Sequence, residues 1–275
     1  MKIEHYLTFH NSHKQITKLL EKNNINFSTK SFIYSFSIFE DDPFYQKVTK
    51  YIKKGILNDL AANAKYHYSD KDILNNDWFS IRSTHHWSYP QPEDTYLEST
   101  YNLKNYCFSC GYGAIQKDNF MMRKEPPWGR RYFMHLHWIM DELFINSKLL
   151  DNFNKHDFSG IEIKNVYNKN KSTFLDTVKQ IFINNRIKCD FKNQNIKKLI
   201  NCSTCGNQKH VLSFTGFFYC SGKTIESFSH DFFKSKEVYG DGKMAAHEII
   251  VSKKVLTFIL DNNINEIAFT PIVKI

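Results

Sequence analysis

Cys107-Phe108-Ser109-Cys110-Gly111 and Cys202-Ser203-Thr204-Cys205-Gly206 are two copies of one pattern, Cys-x-x-Cys-Gly. Each puts two thiols on a tight turn. The glycine after the second cysteine permits φ > 0, so backbone amides can point at the sulfurs. A turn of this kind is a zinc knuckle and supplies two thiolates. A structural zinc ion takes four ligands in a tetrahedron, and two knuckles face to face complete the set with no position left open for catalysis. The pattern points to one Zn2+ held by Cys107, Cys110, Cys202 and Cys205. A redox dithiol and incidental cysteines are the rival readings; the duplication, with glycine in both copies, favours the shared metal. Cys189 and Cys220 have no partner at this spacing, and Cys220, after Phe217-Phe218-Tyr219, reads as a small buried hydrophobe.

The interval between the knuckles, residues 111–201, is 91 residues long. A compact zinc ribbon has roughly 15–20. The metal would therefore cross-link distant parts of the chain around a sizeable insert. Downstream of each knuckle the same pattern recurs. Residues 142–150 read as a strand running into a helix to about residue 155, with a strand at residues 160–163. Residues 248–256 lead into a helix to about Asp261, with a strand at residues 267–272. Leu149, Leu150 and Phe153, and Val255, Leu256 and Ile259, are the apolar helix faces expected to pack on sheets.

Ahead of the first knuckle, residues 1–30 read as strand, helix, strand, with Asn11 or Ser12 as helix cap and Ile16, Leu19 and Leu20 as the apolar stripe. Residues 32–39 alternate aromatic and polar side chains, the period of a strand. Asp42-Pro43 marks a helix start whose inner face is Phe44, Val48, Ile52, Ile56 and Leu60. Lys47, Lys50, Lys53 and Lys54 lie near its other face. Ser69 and Asp72 are spaced as a capping box, and residues 78–82 form a strand. The expected fold is α+β: two β-α-β-type units joined by a split four-cysteine zinc ribbon (residues 101–275), preceded by an N-terminal α/β extension (residues 1–100).

The composition allows a large core, with 41% hydrophobic and 16% aromatic residues. No apolar run approaches the roughly 20 residues of a membrane span, and the first residues carry no signal-peptide pattern. A cytoplasmic protein is expected, a setting that favours metal over disulfides. Net charge is +9, which suits nucleic acid or an acidic protein, although the lysines are scattered. Met134-His135-Leu136-His137-Trp138 reads as a strand whose two histidines share a side; a metal there would need a third ligand that is not evident. The sequence has no phosphate-binding glycine loop, Gly-x-Ser-x-Gly elbow or His-Glu-x-x-His motif, so no enzyme is expected. Trp87, Tyr89, Trp128 and Arg130 fall in loops and are the residue types that anchor protein interfaces.

Over roughly residues 100–275 the paired knuckles, followed by Ile250-Val251-Ser252-Lys253-Lys254-Val255 and the strand Ile267-Ala268-Phe269-Thr270-Pro271-Ile272, resemble the double-CXXCG motif proteins. These are bacterial immunity-like proteins. The resemblance implies a non-catalytic protein that neutralises a toxin by stoichiometric binding. The chain departs from the family in its long N-terminal segment and its basic charge. A zinc-ribbon nucleic-acid binder is the alternative.

Overall fold

The computed structural model describes residues 1–57, 64–170, 172–190, 196–212 and 217–275. It is a mixed α+β structure built mostly of sheet, and the described residues fall into two compact units, residues 1–75 and residues 76–275.

The first unit runs β1 (Lys2–His10), α1 (Lys14–Lys22), β2 (Ser28–Lys30), β3 (Ile33–Phe39), α2 (Tyr45–Lys53) and β4 (Ala64–His67), with a short α3 (Asp70–Leu74). Its sheet has the order β2-β3-β1-β4, antiparallel throughout. This is the split β-α-β arrangement, in which each helix connects strands separated by a third. Period-two alternation sends Leu7 and Phe9 of β1, with Phe36 and Ile38 of β3, into one core with Ile16 and Leu20 of α1 and Val48 of α2. The expected capping box is present: the Ser69 hydroxyl accepts from the Asp72 N–H, and the Asp72 carboxylate accepts from the Ser69 N–H. Two other caps differ. The Ser12 hydroxyl lies 2.9 Å from His10 Nδ1, so α1 starts after His13 with no side-chain cap. Asp42 accepts from the Phe44 N–H at 2.7 Å and caps the turn ahead of α2, which begins at Tyr45. Leu60, expected on the α2 face, lies outside the described residues.

The second unit starts with β5 (Trp78–Ser83), α4 (Tyr96–Thr100), and the paired β6 (Tyr101–Asn102) and β7 (Ile115–Gln116). Then come β8 (Met121–Met122), β9 (Phe133–Leu136), β10 (Ile139–Asn146), α5 (Ser147–Asn154), β11 (Glu162–Asn168) and β12 (Phe174–Phe182). After β13 (Arg186–Ile187), β14 (Ile196–Asn201) and β15 (Gln208–Leu212) follow β16 (Phe218–Cys220), α6 (Gly222–Glu226), β17 (Phe232–Ser235), β18 (Ile249–Ser252), α7 (Lys253–Asp261) and β19 (Ile267–Lys274). The sequence places a division near residue 100, whereas the contacts divide after Asn75, and β5 is an inner strand of the second unit's larger sheet.

Two sheets share one topology. The five-stranded sheet has the order β8-β11-β12-β10-β9, and the larger one contains β16-β19-β5-β18-β17 with β13 added at the edge. Matched in that order, every pair keeps its direction: the β11–β8 and β19–β16 pairs are parallel and the other three of each sheet antiparallel. The registers match as well. Asn146 and Ser252, the residues before the two helices, face Val178 and Trp78; seventeen residues later, Ile163 and Phe269 face Ile181 and Ile81. The helices α5 and α7 thus join parallel strands that are not neighbours, so neither segment closes into a β-α-β unit by itself. The middle strand of each sheet comes from elsewhere. With the unit divided into residues 78–168 and residues 174–274, each half supplies a first strand, a knuckle, and then four strands of these sheets, the last reached through a helix. The first strand of each half lies in the sheet of the other. The halves exchange strands.

The cores follow from this. Leu143, Phe144 and Ile145 of β10 and Ile250 and Val251 of β18 are fully buried, as a strand covered on both faces requires. Leu149 and Phe153, and Val255, Leu256 and Ile259, are the buried faces of α5 and α7. Asn146 caps α5, accepting from the Lys148 N–H.

Candidate metal centre

Each knuckle sits at the end of a two-stranded antiparallel pair, the first beyond β6–β7 and the second beyond β14–β15. Locally the two are alike. The Cys107 N–H donates to the Tyr112 carbonyl at 2.8 Å and the Cys202 N–H to the Asn207 carbonyl at 2.9 Å. The Gly111 and Gly206 amides return to the carbonyls of Cys107 and Cys202. The two glycines have φ of 80° and 72°, the left-handed region that a β-carbon disfavours. Gly111 has a second reason, since an added Cβ would lie 2.1 Å from the Lys243 carbonyl oxygen.

The fold brings all four sulfurs within 4.8 Å of one another, close enough to hold a metal ion. Cys107 Sγ lies 3.9 Å from Cys202 Sγ, and Cys110 Sγ lies 3.7 Å from Cys205 Sγ. A tetrahedron with metal–sulfur bonds of about 2.3 Å has edges of about 3.8 Å. These contacts join equivalent positions of the two knuckles, as does the hydrogen bond from Thr204 Oγ1 to Ser109 Oγ at 3.0 Å. The knuckles therefore meet about a local twofold axis that passes between the sulfur pairs. Cys107 and Cys110 are buried, whereas Cys205 is exposed, with the Asn207 amide donating to its sulfur at 3.4 Å.

The thiols differ in acidity. The amides of Cys205 and Thr204 hold the Cys202 thiol down to about 6. Burial, helped by the three other thiols and opposed by the Tyr112 amide, pushes Cys110 up to about 12. A metal ion held by the four sulfurs would displace the protons that remain on them. Lys209, just after the second knuckle, is 2% exposed and donates to the carbonyls of Cys110, Gly242 and Met244 at 2.8, 2.6 and 2.9 Å. It fastens the first knuckle to residues 242–244 from the side of the second.

His135 belongs to the core. Its Nε2 accepts from the Ser83 N–H at 2.9 Å and its Nδ1 donates to the Glu142 carbonyl at 2.8 Å, which leaves no nitrogen for a metal. Burial lowers its pKa to about 4, so the ring is neutral. Cys189 and Cys220 are fully buried, as expected for Cys220.

The four loop residues expected at an interface separate. Trp128 is 7% exposed, packs in the core with Phe120 and Phe144, and donates to Thr177 Oγ1 at 3.2 Å. Its burial and its bond to Thr177 make it part of the core. Trp87 and Tyr89 are half-buried and Arg130 is exposed. The exposed tryptophan is Trp138, at 57%. It was missed because residues 134–138 read as one strand; the strand stops at Leu136, and His137-Trp138 form a two-residue turn into β10 with Trp138 at φ 69°.

Among the described residues no helix is long and apolar enough to cross a membrane. No protein-family model, no curated protein and no solved structure matches the chain.

Proposed function

We propose that the four cysteines hold one structural Zn2+ and that the protein is a non-catalytic binding protein acting stoichiometrically on another protein, a bacterial toxin domain. The observation that carries the zinc reading is the meeting of four thiols at tetrahedral spacing on two glycine-ended turns. All four positions are filled by protein sulfur, which favours zinc and leaves none for a substrate. Bound there, the metal ties the two strand-exchanged halves at a second place. The toxin reading is supported by the resemblance of the knuckles and the β18–α7–β19 segment to immunity proteins. Arg130 and the half-buried Tyr89 are residue types that anchor interfaces. The +9 charge would speed association with an acidic partner surface.

Metal analysis of freshly purified, reduced protein is expected to give close to one zinc per chain. Cys202→Ser should lose it. Less than half an equivalent in the parent protein refutes the zinc site. For the partner, co-expression with the toxin encoded beside this chain should protect the cell, and Arg130→Glu should weaken protection while zinc and fold persist. Full toxicity in the presence of soluble, zinc-loaded protein refutes the toxin reading and leaves the metal site standing.

A further inference from the structure

A cavity of about 410 Å3 opens in the second unit beside the first knuckle. That volume is within the range of small-molecule sites, about 300–1,000 Å3. Its walls divide by origin. Residues 78–168 contribute most of the aromatic side chains, among them Tyr96, Tyr106 and Trp138; residues 174–274 contribute Phe182 and the exposed cations Arg186, Lys236 and Lys243. Among the described residues these three cations form no ion pair with the protein. The cavity's two carboxylates, Asp141 and Glu142, are already engaged: they lie 4.0 and 2.6 Å from the buried Lys234 ammonium.

Two local features set this place apart. Consecutive strand residues normally point to opposite faces, yet Asp141 and Glu142 both reach Lys234. The register of β10 against β9 shifts between Ile139 and Phe144, and such a bulge re-aims side chains, often beside functional sites. The second feature is Trp138. A bulky residue at φ 69° is strained, and a glycine or asparagine would occupy this turn at lower cost. Strain of this kind persists where a side chain has a task. Trp138 keeps its indole at the cavity, stacked 6.1 Å from Tyr96 and backed by Tyr89 at 4.5 Å.

We propose that this cavity binds a small anion carrying a planar ring, of nucleoside 5′-monophosphate size. The ring stacks on Trp138 and its tyrosine neighbours, and Arg186, Lys236 and Lys243 meet the phosphate. Stacking on a fixed aromatic platform and a guanidinium matched to phosphate oxygens are the two contacts such a ligand needs. The Lys234–Asp141–Glu142 cluster, two carboxylates against one ammonium with the Arg186 charge also acting on Asp141, forms a polar floor. The site goes beyond the toxin-binding reading and does not depend on it.

The test is calorimetric titration of the metal-loaded full chain with AMP, GMP, CMP and UMP. Adenosine, ribose 5-phosphate, inorganic phosphate and a short single-stranded oligonucleotide are the comparison ligands. At least one mononucleotide should bind one to one, with its ring-less and phosphate-less counterparts at least about tenfold weaker. Trp138→Gly should weaken binding by about tenfold or more while the melting temperature stays level or rises, because glycine relaxes the turn. Arg186→Ala, at an exposed position, should weaken binding with no change in melting temperature. The proposal is overturned if no mononucleotide binds at about 1 mM, if inorganic phosphate binds as tightly, or if only the oligonucleotide binds. It is equally overturned if both variants keep the parent affinity.

Discussion

Gln180 and Ser80 occupy the same register position in the two sheets, and each donates a hydrogen bond to a glutamate four residues before a helix cap, Glu142 and Glu248. Each donor stands on an exchanged strand. The glutamate it bonds belongs to the other half. The exchange is thus fastened by polar contacts as well as by backbone pairing, and it has consequences that can be measured.

A chain cut in the turn between β11 and β12, by a protease site inserted after Lys169, should remain one particle. Each sheet would still draw its middle strand from the other fragment, so separation should require denaturant. Size-exclusion chromatography of the cut protein checks this. Fragments that part under native conditions, with either one still folded, would contradict the exchange.

Lys209→Met should destabilise the protein and loosen the metal together. It removes three hydrogen bonds from a buried ammonium and leaves the carbonyls of Cys110, Gly242 and Met244 short of a donor. The expected cost is about 2–4 kcal/mol, with faster loss of metal to a chelator. Unchanged release kinetics would mean that the first knuckle does not depend on this anchor.

Glu248→Gln should stabilise the protein at neutral pH and have little effect in acid. Burial raises the Glu248 carboxyl above the ordinary carboxylate range, against the Ser80 hydrogen bond and the Arg82 charge. A carboxyl raised in the folded state binds more protons there than in the unfolded chain, so its contribution falls as pH rises from the unfolded pKa, about 4.5. Glutamine stays neutral throughout and can still accept from Ser80. Melting temperatures at pH 4 and pH 7 provide the comparison; a variant less stable than the parent at pH 7 would show that the ionised carboxylate is favoured in place.

Trp128→Ala should cost about 3–5 kcal/mol, because the indole fills the core beside Phe120 and Phe144 and its N–H is bonded to Thr177. Any loss of partner binding in this variant would follow from unfolding. Chemical denaturation measures it, and a cost below about 1 kcal/mol would mean that the site repacks freely.

The sequence by itself determined whatever depends on neighbours along the chain. Cys-x-x-Cys-Gly specifies a turn with a left-handed glycine, and the duplicated pattern was enough to bring Cys107, Cys110, Cys202 and Cys205 together as one candidate set. The helices α5 and α7 and their flanking strands were legible because period 3.6 and period 2 mark their buried faces. Ser69 and Asp72 carried their capping box openly. What only the tertiary structure decided is where distant strands pair. Nothing local to Trp78–Ser83 says that it lies between β18 and β19, strands from the far end of the chain; register and burial across the sheet select it. The same non-local packing buried Trp128 and exposed Trp138, two tryptophans that composition cannot tell apart. It also set the aromatic wall of one half against the cationic wall of the other. A side chain's face is encoded by periodicity over a few residues, but its partner is chosen by contacts whose sequence separation periodicity does not record.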